Sequence, residues 1–362
     1  MALIPQSDST VSLIYRAWAK RENRPPRSHL GASMIGRPCE REAWYAFHWA
    51  LYPTFEGRIL RLFDRGHREE PVFIRDLRQA GITVHAVDPE TGKQFQFTDF
   101  GGHVGGSMDG AALGLPEAPK TWHLLEFKTH GSNSFEATVK SGVKEAHPEH
   151  FAQMQMYMGW SGMDRALYLA VNKDNDELYA ERVEFDSAVF EKMRGKAQRI
   201  VFCTVPMPRI SESPAFYRCK TCHFHPVCHG GAFPRANCRT CSYVIPTEGG
   251  TWHCSRHEKN LTVEEQRAGC PQHLFLKHAM PVHSVDAGKG WVCYMTAPVP
   301  EEKPDDIGDA HFYNVEDGAE TPNDGPRFTS RELENLTVDQ LPSVIRVKRE
   351  LGGTIVAKES PL

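Results

Sequence analysis

Seven of the ten cysteines fall between Cys219 and Cys270, in a stretch dense in Pro, Gly and His. A segment of that composition has little room for an apolar core, and such segments usually fold around bound metal. Disulfides are the other use of clustered cysteine, and they belong mostly to small secreted proteins. The opening residues, MALIPQSDSTVSLIY, show no basic stretch followed by an apolar one, so a secretory leader is not expected. The thiols are therefore read as ligands in a reducing, cytoplasmic setting. Elsewhere, 362 residues with 40% hydrophobic and 24% charged content leave material for a sizeable core and about two domains. No run approaches the roughly 20 apolar residues of a membrane helix, so no membrane partner is expected.

Spacing divides the cysteines into two sets. Cys219, Cys222 and Cys228 read C-x2-C-x5-C, and Cys39 stands about 180 residues before them. Zinc accepts four thiolates, or three and an imidazole from His223, His225 or His229, and Cys39 could equally be a buried free thiol. The second set, Cys238, Cys241, Cys254 and Cys270, is spaced C-x2-C-x12-C-x15-C. It reads as a structural zinc ribbon or knuckle closed by four ligands, with His253, His257 or His273 able to replace Cys254 or Cys270. Cys203 and Cys293 lie in apolar surroundings and read as buried thiols.

Hydrophobic periodicity orders the rest. Helices are expected from Pro38 or Cys39 to about Ala50, after the turn signal GRP, and from Gly57 to Gln79, ended by Gly81. Strands follow at Ile82–Val87, Gln94–Thr98, His103–Ala112 and Trp122–Thr129. Next come a helix from Pro148 to about Trp160, strands at Ala166–Asn172 and Glu177–Phe185, and a helix at Ser187–Phe202. That order predicts an α/β fold with a mixed central sheet flanked by helices, followed by a small metal-stabilised Cys-rich segment. Pro298–Pro326 reads as a polar, acidic loop, with short helices at Ser330–Asn335 and near Val338–Leu351. Four regions result: a basic N-terminal segment (1–30), an α/β domain (31–230), a zinc-ribbon-like segment (231–278) and an acidic C-terminal region (279–362). From Tyr294 onward there are 14 acidic and 7 basic residues, against 32 and 35 before it, so the body is near neutral and the tail acidic. Arg16, Lys20, Arg21, Arg24, Arg27, Arg37 and Arg41 form a basic cluster suited to phosphates or to a solvated surface. No Walker-type phosphate loop is present, so no motor is expected.

The most informative stretch is GGSMDGAALG, followed after a short turn by WHLLEFKTH. Alternation puts Glu126 and Lys128 on one side of a strand and turns Phe127 into the core. An antiparallel neighbour could bring Asp109 beside them. Two carboxylates and a lysine so placed make a site for a hard cation such as Mg²⁺ or Mn²⁺. Glu-x-Lys alone carries little weight: Glu301, Glu302 and Lys303 repeat it in the Pro-rich loop. The apolar sequence on both sides of Glu126 and Lys128 and the acidic residue before them set this copy apart.

This pattern resembles the PD-(D/E)XK nuclease superfamily, with Asp109, Glu126 and Lys128 at the signature positions. Gln153–Tyr157 (QMQMY) is similar to the QxxxY element of RecB-like and lambda-exonuclease-like branches, where those side chains position the site and the DNA. Glu70, in GHREE, matches the family's metal-binding position four residues after a glycine, with Glu69 and His67 in reserve. Cys39 with Cys219, Cys222 and Cys228 resembles the iron–sulfur staple of AddB-type nucleases. That likeness implies a [4Fe–4S] cluster, with Zn²⁺ the alternative at the same cysteines. The resemblance covers about residues 30–230. It implies a restriction-endonuclease-like fold and a Mg²⁺- or Mn²⁺-dependent deoxyribonuclease, foremost a phage-type exonuclease processing DNA ends for recombination or repair. Glu70, Asp109, Glu126 and the Phe127 carbonyl would hold the metal, Lys128 would assist the attacking water, and a recombinase or single-strand-binding protein could join DNA as a partner. A restriction-type or structure-specific endonuclease and a non-catalytic nucleic-acid-binding assembly protein are the other readings.

Overall fold

The computed structural model describes residues 9–21, 26–296 and 311–351. The chain begins with helix α1 (Thr10–Arg21), the two-residue strand β1 (Leu30–Gly31), the single turn α2 (Ala32–Ile35) and helix α3 (Glu40–Phe47). Arg24, of the basic cluster, lies outside the described residues. The long helix α4 (Gly57–Gln79) has the expected bounds. Its first residue must be glycine, because a Cβ there would stand 2.0 Å from the Tyr15 carbonyl oxygen of α1.

Strands β2 (Thr83–His85), β3 (Gln96–Asp99), β4 (Val104–Ser107), β5 (Gly110–Leu113) and β6 (His123–His130) follow, then helices α5 (Ser132–Ala146) and α6 (Pro148–Ser161). Strands β7 (Arg165–Asn172) and β8 (Leu178–Glu184) and helix α7 (Ser187–Phe202) complete this half. The main sheet has the order β2-β5-β6-β7-β8. Only β6 and β7 run parallel, because α5 and α6 supply the long crossover that parallel pairing needs. Every residue of β7 after Arg165 is buried, so its sequence is a nearly continuous apolar run. Alternation gives the sheet two faces. Leu125, Phe127, Leu167, Leu169 and Val171 pack with Phe73 of α4, whose ring stacks on Phe127 at 4.9 Å. Leu124, Ala166, Tyr168 and Ala170 pack with Met154, Met156 and Met158 of α6 and Ala197, Ile200 and Val201 of α7. This is the mixed sheet flanked by helices that the sequence predicts for a restriction-endonuclease-like fold.

Four expectations differ from the structure. His103–Ala112 is not one strand: β4 belongs to a separate three-stranded sheet, β1-β4-β3, and β5 to the main sheet. The chain changes sheets at Met108 and Asp109, and Gly110 takes the positive φ of 153° that this switch requires. Helix α5 occupies residues where no element was expected. Its pattern is broken by Gly142, whose φ of 75° kinks the helix.

The third difference lies beyond α7. Short turns α8 (Tyr217–Lys220) and α9 (His225–Cys228) lead to strands β9 (Val244–Pro246), β10 (Trp252–Cys254) and β11 (Lys259–Leu261) and helix α10 (Val263–Ala268). This segment does not lack a core: Cys238, Cys241, Val244, Trp252, Cys254 and Leu261 join the main one. Arg239, 1% exposed, fastens it there. Its guanidinium donates to the carbonyls of Phe47 and Ser28 and to Gln266 Oε1, each at 2.9 Å, and lies 3.6 Å from the centre of the Trp49 ring.

A second core gathers Phe233, Phe275, Tyr294, Phe312, Phe328, Leu333 and Leu341. Around it stands a four-stranded sheet of β12 (His283–Gly288), β13 (Trp291–Met295), β14 (His311–Val315) and β15 (Arg327–Phe328). Helices α11 (Ser330–Leu333) and α12 (Leu341–Leu351) close it. Within the stretch read as an acidic loop, residues 298–310 lie outside the described residues, and His311–Val315 is a buried strand. Among the described residues no helix is long and apolar enough to cross a membrane.

Candidate active site

Asp109 stands at the switch between the two sheets, one residue before β5, whose register sets Gly110 opposite Leu125. Its Oδ2 accepts the backbone N–H of Phe127 at 2.7 Å, which ties the carboxylate to the middle of β6 between Glu126 and Lys128. Glu126, 1% exposed, and Lys128 share the face of β6 turned toward α6, and the Lys128 ammonium donates to Glu126 Oε1. The same ammonium lies 3.1 Å from the Phe127 carbonyl oxygen. From α6, Gln153 Nε2 donates weakly to Glu126 Oε2 and to Tyr157 Oη, both at 3.4 Å. Tyr157 in turn sits against Gly106 of β4, where a Cβ would stand 2.6 Å from its hydroxyl. The second glycine of GGSMDG thus makes room for the tyrosine, while the first, Gly105, lies against the Phe97 carbonyl. Glu70 of α4 lines the same cavity, and its Oε1 is 3.2 Å from His67 Nδ1. The structure therefore gathers Asp109, Glu126, Lys128, Gln153, Tyr157 and Glu70; Glu301, Glu302 and Lys303 lie outside the described residues.

Burial and the neighbouring Glu126 push the Asp109 carboxyl up to about 7, against the opposing pull of Lys128 and the Phe127 N–H. Burial alone would lower the Lys128 ammonium, but Glu126 and Asp109 outweigh it and hold it above its ordinary value. Burial, and then Glu126, raise the Tyr157 hydroxyl as well. Two neighbouring acidic side chains are a donor set of hard oxygens, and this set fits Mg²⁺ or Mn²⁺.

The cavity measures about 1100 Å³. Besides the carboxylate end it is lined by Arg27, Arg37, Arg41, Arg209 and Arg218, and by all four cysteines of the first set. Cys39 stands at the N-cap position of α3, Cys219 lies in α8, Cys228 ends α9 and Cys222 lies in the turn between them. The Cys222 sulfur accepts the backbone N–H of Phe224. His223 Nε2 and His229 Nε2 are buried without hydrogen-bond partners nearby. The second set lines a smaller cavity of about 200 Å³ together with His257 and His273. There the Cys241 sulfur accepts N–H groups from Tyr243 and Leu274, and Cys270 accepts one from Gln272.

All ten cysteines are free thiols. Among the described residues, no group of three or more His, Cys, Asp or Glu side chains is disposed to hold a metal ion as it stands. The metal-stabilised Cys-rich segment and the four-cysteine cluster expected from spacing are thus not preformed. Burial, then the neighbouring thiols, push Cys238 up to about 12, and burial does the same to Cys241. Uncharged thiols have no attraction that would draw four sulfurs to one point. Of the two leftover cysteines, Cys293 is buried in β13 and Cys203 is half-buried at the end of α7.

Two cavity residues, His147 and His150, carry no motif and were not singled out from the sequence. The one available signal was their position, just before and within the first turn of the helix that carries Gln153 and Tyr157.

No protein-family model matches the chain, and no characterised protein matches it in sequence. Among solved structures it is similar to the alkaline exonuclease LHK-Exo from Laribacter hongkongensis. In that enzyme's complex with dAMP the identity is 18% over 51% of this chain and 90% of the other, with a TM-score of 0.35. The same enzyme in a second crystal structure gives 18%, with equal coverage and a TM-score of 0.32. SSO0001 gives 13% identity over 61% of this chain and 97% of the other, with a TM-score of 0.36. Likenesses of this size carry no argument about function, which rests on the site itself.

Proposed function

We propose that this chain is a divalent-metal-dependent deoxyribonuclease that hydrolyses phosphodiester bonds at DNA ends, in the service of recombination or repair. The observation that carries this reading is the meeting of Asp109, Glu126 and Lys128 at a cavity that Asp109 and Lys128 line together with five arginines. Asp109, Glu126 and the Phe127 carbonyl would hold Mg²⁺ or Mn²⁺, with Glu70 reaching in from α4. Such a cation, when bound, polarises a phosphoryl oxygen and lowers the pKa of a water.

The protein's own groups do the rest. Lys128 is held protonated by its two carboxylate neighbours, so it serves as a fixed cation for the charge that builds on the phosphorane rather than as a base. Gln153 steadies the second oxygen of Glu126 and, with Tyr157, borders the path of the strand. Arginines along the cavity attract the phosphate backbone. The two thiol sets are proposed as structural metal sites that close on loading. Cys39, Cys219, Cys222 and Cys228 would bind a [4Fe–4S] cluster or Zn²⁺, and Cys238, Cys241, Cys254 and Cys270 would bind Zn²⁺. What supports this is that each set shares one cavity and that backbone N–H groups already point at Cys222, Cys241 and Cys270, as they would at a thiolate.

Cleavage of linear and circular DNA at increasing Mg²⁺ tests the proposal. An end-processing enzyme cuts only the linear form. Cutting of both forms makes it an endonuclease, and cutting of neither overturns the nuclease reading.

A further inference from the structure

Three imidazoles stack in the cavity wall beside the carboxylates. His130 ends β6, His147 precedes α6 and His150 lies in its first turn. The rings of His130 and His147 are 4.5 Å apart, and those of His147 and His150 are 4.9 Å apart. His130 is buried, whereas His147 and His150 line the cavity. The hydroxyl of Tyr168, a fully buried residue paired in register with Glu126, lies 2.7 Å from His130 Nε2 and 3.1 Å from His150 Nδ1. On the far side, Ser134 Oγ is 3.0 Å from His130 Nδ1 and 3.4 Å from His147 Nε2. Thr138 Oγ1 is 2.9 Å from that same His147 nitrogen.

One carbonyl sets the proton direction at one end of this chain, and one consistent arrangement of the rest follows from it. The Thr138 hydroxyl donates to the Ser134 carbonyl oxygen at 2.9 Å, and a carbonyl oxygen only accepts. Thr138 has no second proton to give, so His147 Nε2 donates to it. The Ser134 hydroxyl cannot donate to a nitrogen that already carries a proton, and in the arrangement that keeps its proton within this chain it donates to His130 Nδ1. A neutral His130 with an acceptor at Nδ1 carries its proton at Nε2 and gives it to Tyr168. The Tyr168 proton then goes to His150 Nδ1. His150 is then left with its proton on Nε2, in a residue that lines the cavity. Burial, then the charge of Lys128 and the neighbouring imidazoles, hold His150 down to about 2; burial, then His147 and Lys128, hold His130 to about 4. Both rings are therefore uncharged at neutral pH.

We infer that His150 is a phosphate-contacting residue of the site, its neutral Nε2–H donating to a non-bridging phosphate oxygen of the bound strand in a tautomer locked by Tyr168, His130, Ser134, His147 and Thr138. The inference rests on the nuclease reading above. Its physical logic is local. A second cation beside Lys128 would compete with a divalent ion for the carboxylates, whereas a neutral donor gives a directed hydrogen bond without adding charge. The opposite tautomer would turn a lone pair toward an anionic oxygen and repel it. Tyr168 is thus a positioning residue that acts through His150.

The test begins with ¹⁵N NMR of the histidine rings in the full chain, in chelator and at neutral pH. His130 and His150 should be neutral with the proton on Nε2, His147 should carry a proton on Nε2, and a short single-stranded oligodeoxynucleotide should shift His150 Nε2. Oligonucleotide affinity in chelator, and KM for cleavage, should weaken about 3- to 10-fold in His150→Ala, the share of one neutral hydrogen bond. His150→Gln, whose amide can replace the Nε2 donor, should stay near wild type. Tyr168→Phe, which leaves His150 in place and removes the lock, should resemble His150→Ala. Should His150→Ala not fold, the contrast between His150→Gln and Tyr168→Phe carries the same comparison. A proton on His150 Nδ1, or wild-type affinity in both His150→Ala and Tyr168→Phe, overturns the inference. If no variant and no wild-type protein cuts DNA, the nuclease reading fails, while the tautomer and the oligonucleotide shift still decide this one.

Discussion

Replacing Asp109 by Asn should stabilise the metal-free protein at alkaline pH, although it removes an active-site group. The folded chain holds the Asp109 carboxyl at about 7, against 3.8 for an unperturbed aspartate. Folding therefore favours the protonated form, and stability falls as pH rises from about 4 to about 7 and is level above that. At about 1.36 kcal/mol per pH unit the whole window amounts to about 4 kcal/mol, of which about 2–3 lies between pH 5 and pH 8. Asparagine keeps the acceptor for the Phe127 N–H and loses the charge beside Glu126. Urea unfolding in chelator should show the wild type losing about 2–3 kcal/mol more than Asp109→Asn between those two pH values. Adding Mn²⁺ at pH 8 should restore stability to the wild type and do little for the variant. Parallel pH trends for the two proteins would refute the reasoning, because no other difference separates them.

Asp109→Ala or Glu126→Ala should abolish cleavage and weaken divalent-ion binding by calorimetry, while Lys128→Ala should slow cleavage roughly 10²–10⁴-fold with the ion still bound; Lys303→Ala should cut at the wild-type rate. Gly106→Ala should cost about 1–3 kcal/mol in thermal unfolding and lower activity, since its Cβ would displace the Tyr157 hydroxyl. Arg239→Ala should lower stability by about 3 kcal/mol or more, because the Phe47 and Ser28 carbonyls lose a buried donor. Arg239→Lys should not rescue it, since an ammonium cannot reach three acceptors in a planar fork. Metal analysis of protein purified without oxygen should show Cys39→Ala losing iron or zinc from one site, and Cys241→Ala losing zinc from the other.

The main sheet was legible because its strands carry plain signals. RALYLAVN is a near-continuous apolar run, and HLLEFKTH interrupts apolar residues with one acid and one lysine. The carboxylate site was legible for the same reason: a charge inside an apolar strand needs a partner or a function. Helix α5 was not, because Gly142 interrupts a polar, β-branched stretch and so erases the helical period. The sheet switch at Asp109 hid behind five glycines between 101 and 110, which read equally well as one loose strand. In the C-terminal half, net acidity masked β13 and β14. WVCYM and HFYNV are short, and their burial depends on Phe275 and Phe328, far from them in sequence. The histidine stack was invisible for a related reason. His130, His147, His150 and Tyr168 come from three elements, and only the β6–β7 pairing and the start of α6 bring them to one place.

The Arg239 contact sets the order in which the protein can form. Arg239 and the Phe47 carbonyl that it holds are 192 residues apart. During synthesis at about 5–20 residues per second, Phe47 and Trp49 wait on the order of 10–40 s for the side chain that packs against them. For that interval the start of the chain is exposed wherever Arg239 and Trp252 will later pack. A nascent chain halted before Gln266 exists should be captured by holding chaperones or lost to proteases, however complete its main sheet is. The half that holds the carboxylate site is thus licensed to persist only by a segment translated long after it.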